Sequence, residues 1–187
     1  MADSKRGKFL QRILQIIFVI YIFLLLRFTL FKYAPLTRLW DAFFLRNREY
    51  SIIPFRATYG MIRGLSPLRL IENLAGNIIL FVPFGILLPL ALGIKRKTIL
   101  FGCLASCMIE ILQFVFAMGT SDIDDIILNT LGTVFGYVIY IIAKHIFMER
   151  KTLLTAAAIV LGTGLAAGIL VLYAAGYLMD GFPNITF

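Results

Sequence analysis

Charge is scarce in this chain. Only 15% of its 187 residues are Asp, Glu, Lys or Arg, and 60% are apolar, against about 25% charged and 45–50% apolar in an ordinary soluble domain. Such a composition excludes a water-facing surface over most of a fold of this length. Cysteine is nearly absent. Cys103 and Cys107 stand four residues apart inside an apolar run, which places them on one helix face for packing and not in a disulfide framework. There is one histidine, His145, and it lies in a basic loop, so a histidine-based triad is not expected. The chain has no P-loop, GxSxG or HExxH motif and no internal repeat; the first apolar run is expected to be a retained anchor, not a cleavable signal peptide.

What the sequence has is long apolar runs. A helix needs roughly 20 such residues to cross a bilayer, and five stretches qualify: about Ile13–Phe31, Asn73–Leu92, Thr98–Phe116, Ile123–Phe147 and Thr152–Leu178. The fold class expected is therefore all-α, a polytopic membrane helix bundle in one domain spanning residues 1–187. Pro83 and Pro89 inside the second span predict a kink or break there. Between Lys32 and Glu72 lies a mixed stretch with seven basic residues and Pro35, Pro54 and Pro67, whose amphipathic pieces suit the membrane surface.

The net charge of +8 is read as loop charge that orients the helices and meets anionic lipid. No nucleic-acid-binding module accompanies it. Lys5, Arg6, Lys8 and Arg12, the Lys95–Lys97 loop and the loop around Lys144–Lys151 fall on one side, and the AMGTSDIDD loop has neither Lys nor Arg. The positive-inside rule then gives a cytoplasmic N-terminus and an outer C-terminus. The basic 32–72 stretch lies on the outer side and goes against that pattern.

Polar residues converge where the second span begins, the third ends and the fourth begins, and these three places share one membrane face. Asn73 and Asn77 lie at i, i+4; Ser106, Glu110 and Gln113 share a face; Asp122, Asp124 and Asp125 open the fourth span, with Asn129 one turn beyond Asp125. Ionisable residues at membrane depth usually face a bundle interior or a wet cavity. Helix capping would equally account for Asp122 and Asp124, interhelical hydrogen bonding for Asn73 and Asn77, and an arginine of the 32–72 stretch could pair with Glu110. Gly132 and Gly136, like Gly164 and Gly168, form small-xxx-small pairs suited to close helix packing. As chemistry, Glu110, Asp124 and Asp125 could divide acid and base roles or hold a divalent cation through oxygen ligands. Asn73, Asn77, Gln113, Asp122 and Asn129 would then contact the ligand.

Three segments in this order, NLAGNIILFVPFGILLPL at 73–90, SCMIEILQF at 106–114 and DIDDIILNTLGTVFGY at 122–137, resemble the VanZ-like family of small bacterial membrane proteins. The likeness is concentrated in residues 70–140 and falls on Asn73, Gly76, Asn77, Phe81, Pro83, Phe84, Gly85, Glu110, Gln113, Asp122, Asp124, Asp125, Asn129, Gly132 and Gly136. Many relatives carry a basic residue just before the DIDD motif, where this chain has Gly119, Thr120 and Ser121; Arg63 or Arg69 could supply that cation. The resemblance implies a plasma-membrane protein tied to resistance against glycopeptides such as teicoplanin. Its ligand would be the lipid-anchored antibiotic or a lipid-linked cell-wall precursor, met among membrane lipids. It implies no agreed mechanism. A carboxylate-dependent hydrolase or transferase on the same lipid, or a small transporter or flippase, stays open, as do metal use and oligomeric state.

Overall fold

The structure is a computed structural model that describes residues 2–30, 49–63, 67–117 and 120–147, with positions 152, 157 and 164. Helix α1 (Ala2–Leu30) is followed by strand β1 (Glu49–Ser51), helix α2 (Arg56–Arg63), helix α3 (Pro67–Ala91), helix α4 (Thr98–Val115), strand β2 (Thr120–Asp122) and helix α5 (Ile123–Ile146). Among the described residues, four segments are long and apolar enough to cross a membrane: Gly7–Leu30, Asn73–Ala91, Thr98–Val115 and Ile123–Ile146. They match the first four expected spans. The expected fifth span and the 32–48 part of the basic stretch lie outside the described residues.

Hydrocarbon offers no hydrogen bonds, so a spanning segment must satisfy its own backbone, which a helix does. The helices then associate through packing and local polar contacts. On α1 the inward stripe is Leu14, Ile17, Phe18, Tyr21 and Leu25, at helical spacing, and it packs on Phe81, Phe84, Leu87, Leu88 and Ala91 of α3. Phe18 meets Phe84 edge-on with ring centroids 5.9 Å apart, a favoured aromatic geometry. The opposite face of α1, with Phe9, Ile16, Val19 and Phe23, is exposed, as a lipid-facing surface should be.

Helix α3 passes through Pro83 and Pro89 without a break, so the chain does not end its helix at either proline. A proline weakens bonds to the carbonyls of the turn before it, and neighbours can take up such groups. Tyr21 does so here, its hydroxyl donating to the Leu80 carbonyl at 2.7 Å. At the helix end the side-chain amides of Gln11 and Gln15 donate to the Ala91 carbonyl at 3.1 and 3.2 Å.

Those contacts fix the direction of α1. Its N-terminal half lies beside the end of α3 and the Lys95–Lys97 loop, while Thr29 near its other end reaches Gln113 of α4. One end of the bundle is therefore basic, and the other carries the carboxylates.

Helices α3 and α5 pack closest. A Cβ placed on Gly136 would collide with the Val82 carbonyl oxygen, one on Gly132 with that of Ile78, and one on Gly85 with that of Thr133. Gly132 and Gly136 are thus the packing pair expected, and α3 is their partner.

Candidate functional site

The carboxylate end is built on the start of α5. Asp122 has extended backbone (φ −130°, ψ 128°) and caps the helix, its side chain accepting the Asp124 N–H at 3.0 Å. This satisfies one of the free donors of a first helical turn. The Asp122 backbone N–H itself donates to Glu110 Oε2 at 2.8 Å, joining α4 to the loop before α5. Burial and the neighbouring Asp124 charge push the Asp122 carboxyl above the usual carboxylate range, and its bond from the Asp124 N–H offsets part of that.

Asp124 is buried and is not itself the cap. Its Oδ1 accepts the backbone N–H of Phe55 at 2.6 Å, tying the β1–α2 junction to α5. Phe55 holds a left-handed backbone, φ +62°, although its side chain is exposed. Such a conformation costs a non-glycine residue about 1–2 kcal/mol. Just before it, β1 pairs in parallel with β2, Ser51 opposite Asp122. Neither contact was expected from sequence. The only local sign is the short run EYSII ahead of Pro54, rich in strand-forming residues and bounded by a turn-forming one.

Asp125 faces α3, where Asn77 Nδ2 donates to its Oδ1 at 2.6 Å. Asn73, one turn earlier on α3, is half-buried and makes no hydrogen bond to the carboxylates among the described residues. Glu110 is 4% exposed and feels the charges of both Asp125 and Asp122. One turn below it, Asn129 Nδ2 donates to Ser106 Oγ at 2.8 Å, and the Thr133 hydroxyl donates to the Asn129 carbonyl. Gln113 turns aside, its Nε2 donating to the Thr29 carbonyl of α1 at 3.1 Å.

A polar seam therefore runs between α4 and α5, from Asp122 at the mouth through Glu110 and down to Ser106 and Asn129. Asp125 joins it to α3. Among the described residues, three buried side-chain atoms at this end of the bundle have no hydrogen-bond partner: Ser51 Oγ, Gln113 Oε1 and Asn129 Oδ1. Among the described residues, Arg63 stacks its guanidinium over Tyr59, 4.7 Å from the ring centroid, and not on the aspartates. It therefore does not replace the cation missing before DIDD; the Arg69 side chain lies outside the described residues. Among the described residues no three His, Cys, Asp or Glu side chains gather as a metal cluster. Glu110, Asp122 and Asp125 are still hard oxygen donors of the kind a divalent cation takes.

Fold and site define a polytopic integral membrane protein that concentrates carboxylates and carboxamides at one end of its helix bundle. The VanZ/LLP1 family model matches residues 18–144, and the chain belongs to the VanZ/LLP1 family. Protein VanZ of Enterococcus faecium is 32% identical over 148 residues, which are 78% of this chain and 82% of that protein. No solved structure matches. The family match takes in every candidate site residue, from Asn73 to Asn129.

Proposed function

We propose that the carboxylate end faces outward from a bacterial plasma membrane. There it would bind a lipid-anchored glycopeptide or the lipid-linked wall precursor that such drugs target, and lower sensitivity to antibiotics like teicoplanin. Orientation follows from charge. The end opposite the carboxylates carries Lys8, Arg12, Lys95–Lys97 and Lys144, and cytoplasmic ends are the ones enriched in Lys and Arg. The N-terminus is then cytoplasmic.

One observation carries the binding reading. Glu110 is buried in a spanning helix, beside two aspartates, with no ion pair among the described residues. An ionisable group at that depth is costly to bury, and such residues are kept where they serve a function. Relatives associated with glycopeptide resistance supply the ligand class.

The test is the teicoplanin inhibitory concentration in a susceptible Gram-positive host expressing wild type, Glu110→Gln or Asp125→Asn, with membrane abundance measured alongside. Protection by wild type, lost in equally abundant variants, is the expected result. Equal protection by all three would make the carboxylates structural and overturn the reading. Release of product from a lipid-linked precursor by purified protein would replace binding with hydrolysis or transfer.

A further inference from the structure

Beside the carboxylates stands an apolar element that the protein interior does not cover. Ile52 is 68% exposed and Ile53 and Phe55 are each 59% exposed, with exposed Pro54 between them. In α2, Tyr59 and Ile62 are exposed as well, three residues apart and so on one helix face. Contiguous apolar patches of this kind mark a contact surface.

Its level in the bundle says which contact. Strand β1 pairs with β2, whose last residue, Asp122, directly precedes the α5 span. Helix α2 leads into α3, whose apolar span begins at Asn73. Tyr50 meets Phe114 edge-on with ring centroids 6.1 Å apart, and Phe114, Val115 and Phe116 are exposed where the α4 span ends. The patch thus continues the lipid-facing side of α4 at the depth where hydrocarbon gives way to head groups. Tyr concentrates at that depth, and Arg reaches it with its charged tip.

Charge fits the same partner. Arg63 is exposed and stacks over Tyr59. Stacking engages the flat face of the guanidinium and leaves its in-plane N–H fork, which matches a phosphate. The 32–72 stretch carries seven basic residues against Asp41, Glu49 and Glu72. That excess suits an anionic lipid surface, and a second copy of this chain would bring the same excess to the contact.

Phe55 holds the element in place. Its N–H donates to Asp124 Oδ1 at 2.6 Å, and its carbonyl accepts the Tyr59 N–H of α2 at 2.8 Å. Its φ of +62° is one that a bulky residue keeps only where its surroundings enforce it. The Asp124 bond is such an enforcement.

We infer that residues 50–63 form a membrane-inserted anchor. The Ile52–Phe55 turn and the Tyr59–Ile62 face enter the acyl-chain boundary of the leaflet at the carboxylate end, and Arg63 holds a lipid phosphate. Asp124 is the positioning residue that sets the turn. The partner is the anionic phospholipid of that leaflet. This goes beyond the drug-binding reading and stands without it.

The experiment replaces the single native tryptophan, Trp40→Phe, adds Ile53→Trp, and reconstitutes the full chain in vesicles of phosphatidylcholine and phosphatidylglycerol. Fluorescence quenching by lipid brominated on its acyl chains is compared with quenching by acrylamide in the water. The introduced indole should be quenched by brominated lipid and shielded from acrylamide. At equal mole fraction, brominated phosphatidylglycerol should quench about twofold or more better than brominated phosphatidylcholine, and Arg63→Gln should remove that difference. Asp124→Leu should move the indole toward acrylamide, and Asp124→Asn, which keeps an accepting oxygen, should restore it. Ile52→Trp serves if Ile53→Trp does not accumulate, and the two quenchers decide the insertion even if Asp124→Leu does not fold. Quenching by acrylamide alone would overturn the anchor. Shielding from both quenchers would overturn it too, showing that protein covers the patch. Equal quenching by the two brominated lipids would overturn the anionic partner, and unchanged depth in Asp124→Leu the role of Asp124.

Discussion

Asn77 and Asp125 are 48 residues apart in the chain and 2.6 Å apart in space, Nδ2 donating to Oδ1. That bond joins α3 to α5 at the end of the bundle where the carboxylates gather. It accounts for the Asp125 side chain in the first turn of α5 facing α3, while Asp122 performs the cap.

Asn77→Leu therefore removes a donor from a charged acceptor. Hydrogen bonds to charged groups contribute about 1.5–3 kcal/mol, and a loss of that size is expected in unfolding of the detergent-purified protein. A double-mutant cycle with Asp125→Leu should give a coupling of about 1 kcal/mol or more. Strict additivity would show that the two residues stabilise the fold independently.

The four described spans, and the placing of Asn77 and Asp125 at one polar end, were legible in the sequence from hydropathy and helical spacing. Hydropathy over about 20 residues marks a membrane helix. Spacing of four places Asn73 with Asn77, Asp125 with Asn129 and Gly132 with Gly136 on common helix faces. The expectation of one converging polar end followed from counting spans.

Less visible were the contacts made by backbone groups. Phe55 meets Asp124 across 69 residues through an N–H, which every non-proline residue possesses and no motif marks. The β1–β2 pair is three residues long on each strand, too short to show alternation. Gln113 was grouped with Glu110 by spacing, yet its Nε2 goes to Thr29, because α1 packs beside α4 and offers a carbonyl. The continuity of α3 through its prolines likewise depends on neighbours such as Tyr21 that local sequence does not announce.

Gly136→Ala should disrupt the bundle. A Cβ there would overlap the Val82 carbonyl oxygen of α3, which is backbone and cannot swing aside. Overpacking of this kind costs about 1–3 kcal/mol, occasionally more, so reduced membrane abundance and a lower Tm are expected. Gly76→Ala is the contrasting substitution, since nothing lies within 4 Å of its added carbon. It also raises helix propensity by about 1 kcal/mol. Equal behaviour of the two variants would mean that α3 and α5 do not approach as closely as the structure places them.

Asp122 gives a signed pH dependence. Its carboxyl is held above the usual range, chiefly by burial and then by the Asp124 charge, so the folded protein binds that proton more tightly than the unfolded chain. Ionisation consequently weakens the folded state. The contribution is most favourable below the ordinary carboxylate value, falls as pH rises through the raised folded value, and stays low near neutrality. Asp122→Asn keeps a good cap without the charge, so its Tm should gain on wild type as pH increases across that window. Asp122→Ala loses the cap bond from the Asp124 N–H, at a cost of about 1 kcal/mol, and should lie below Asp122→Asn throughout. Wild type gaining on Asp122→Asn with rising pH would show instead that the negative charge stabilises the start of α5, through the helix dipole, by more than its burial costs.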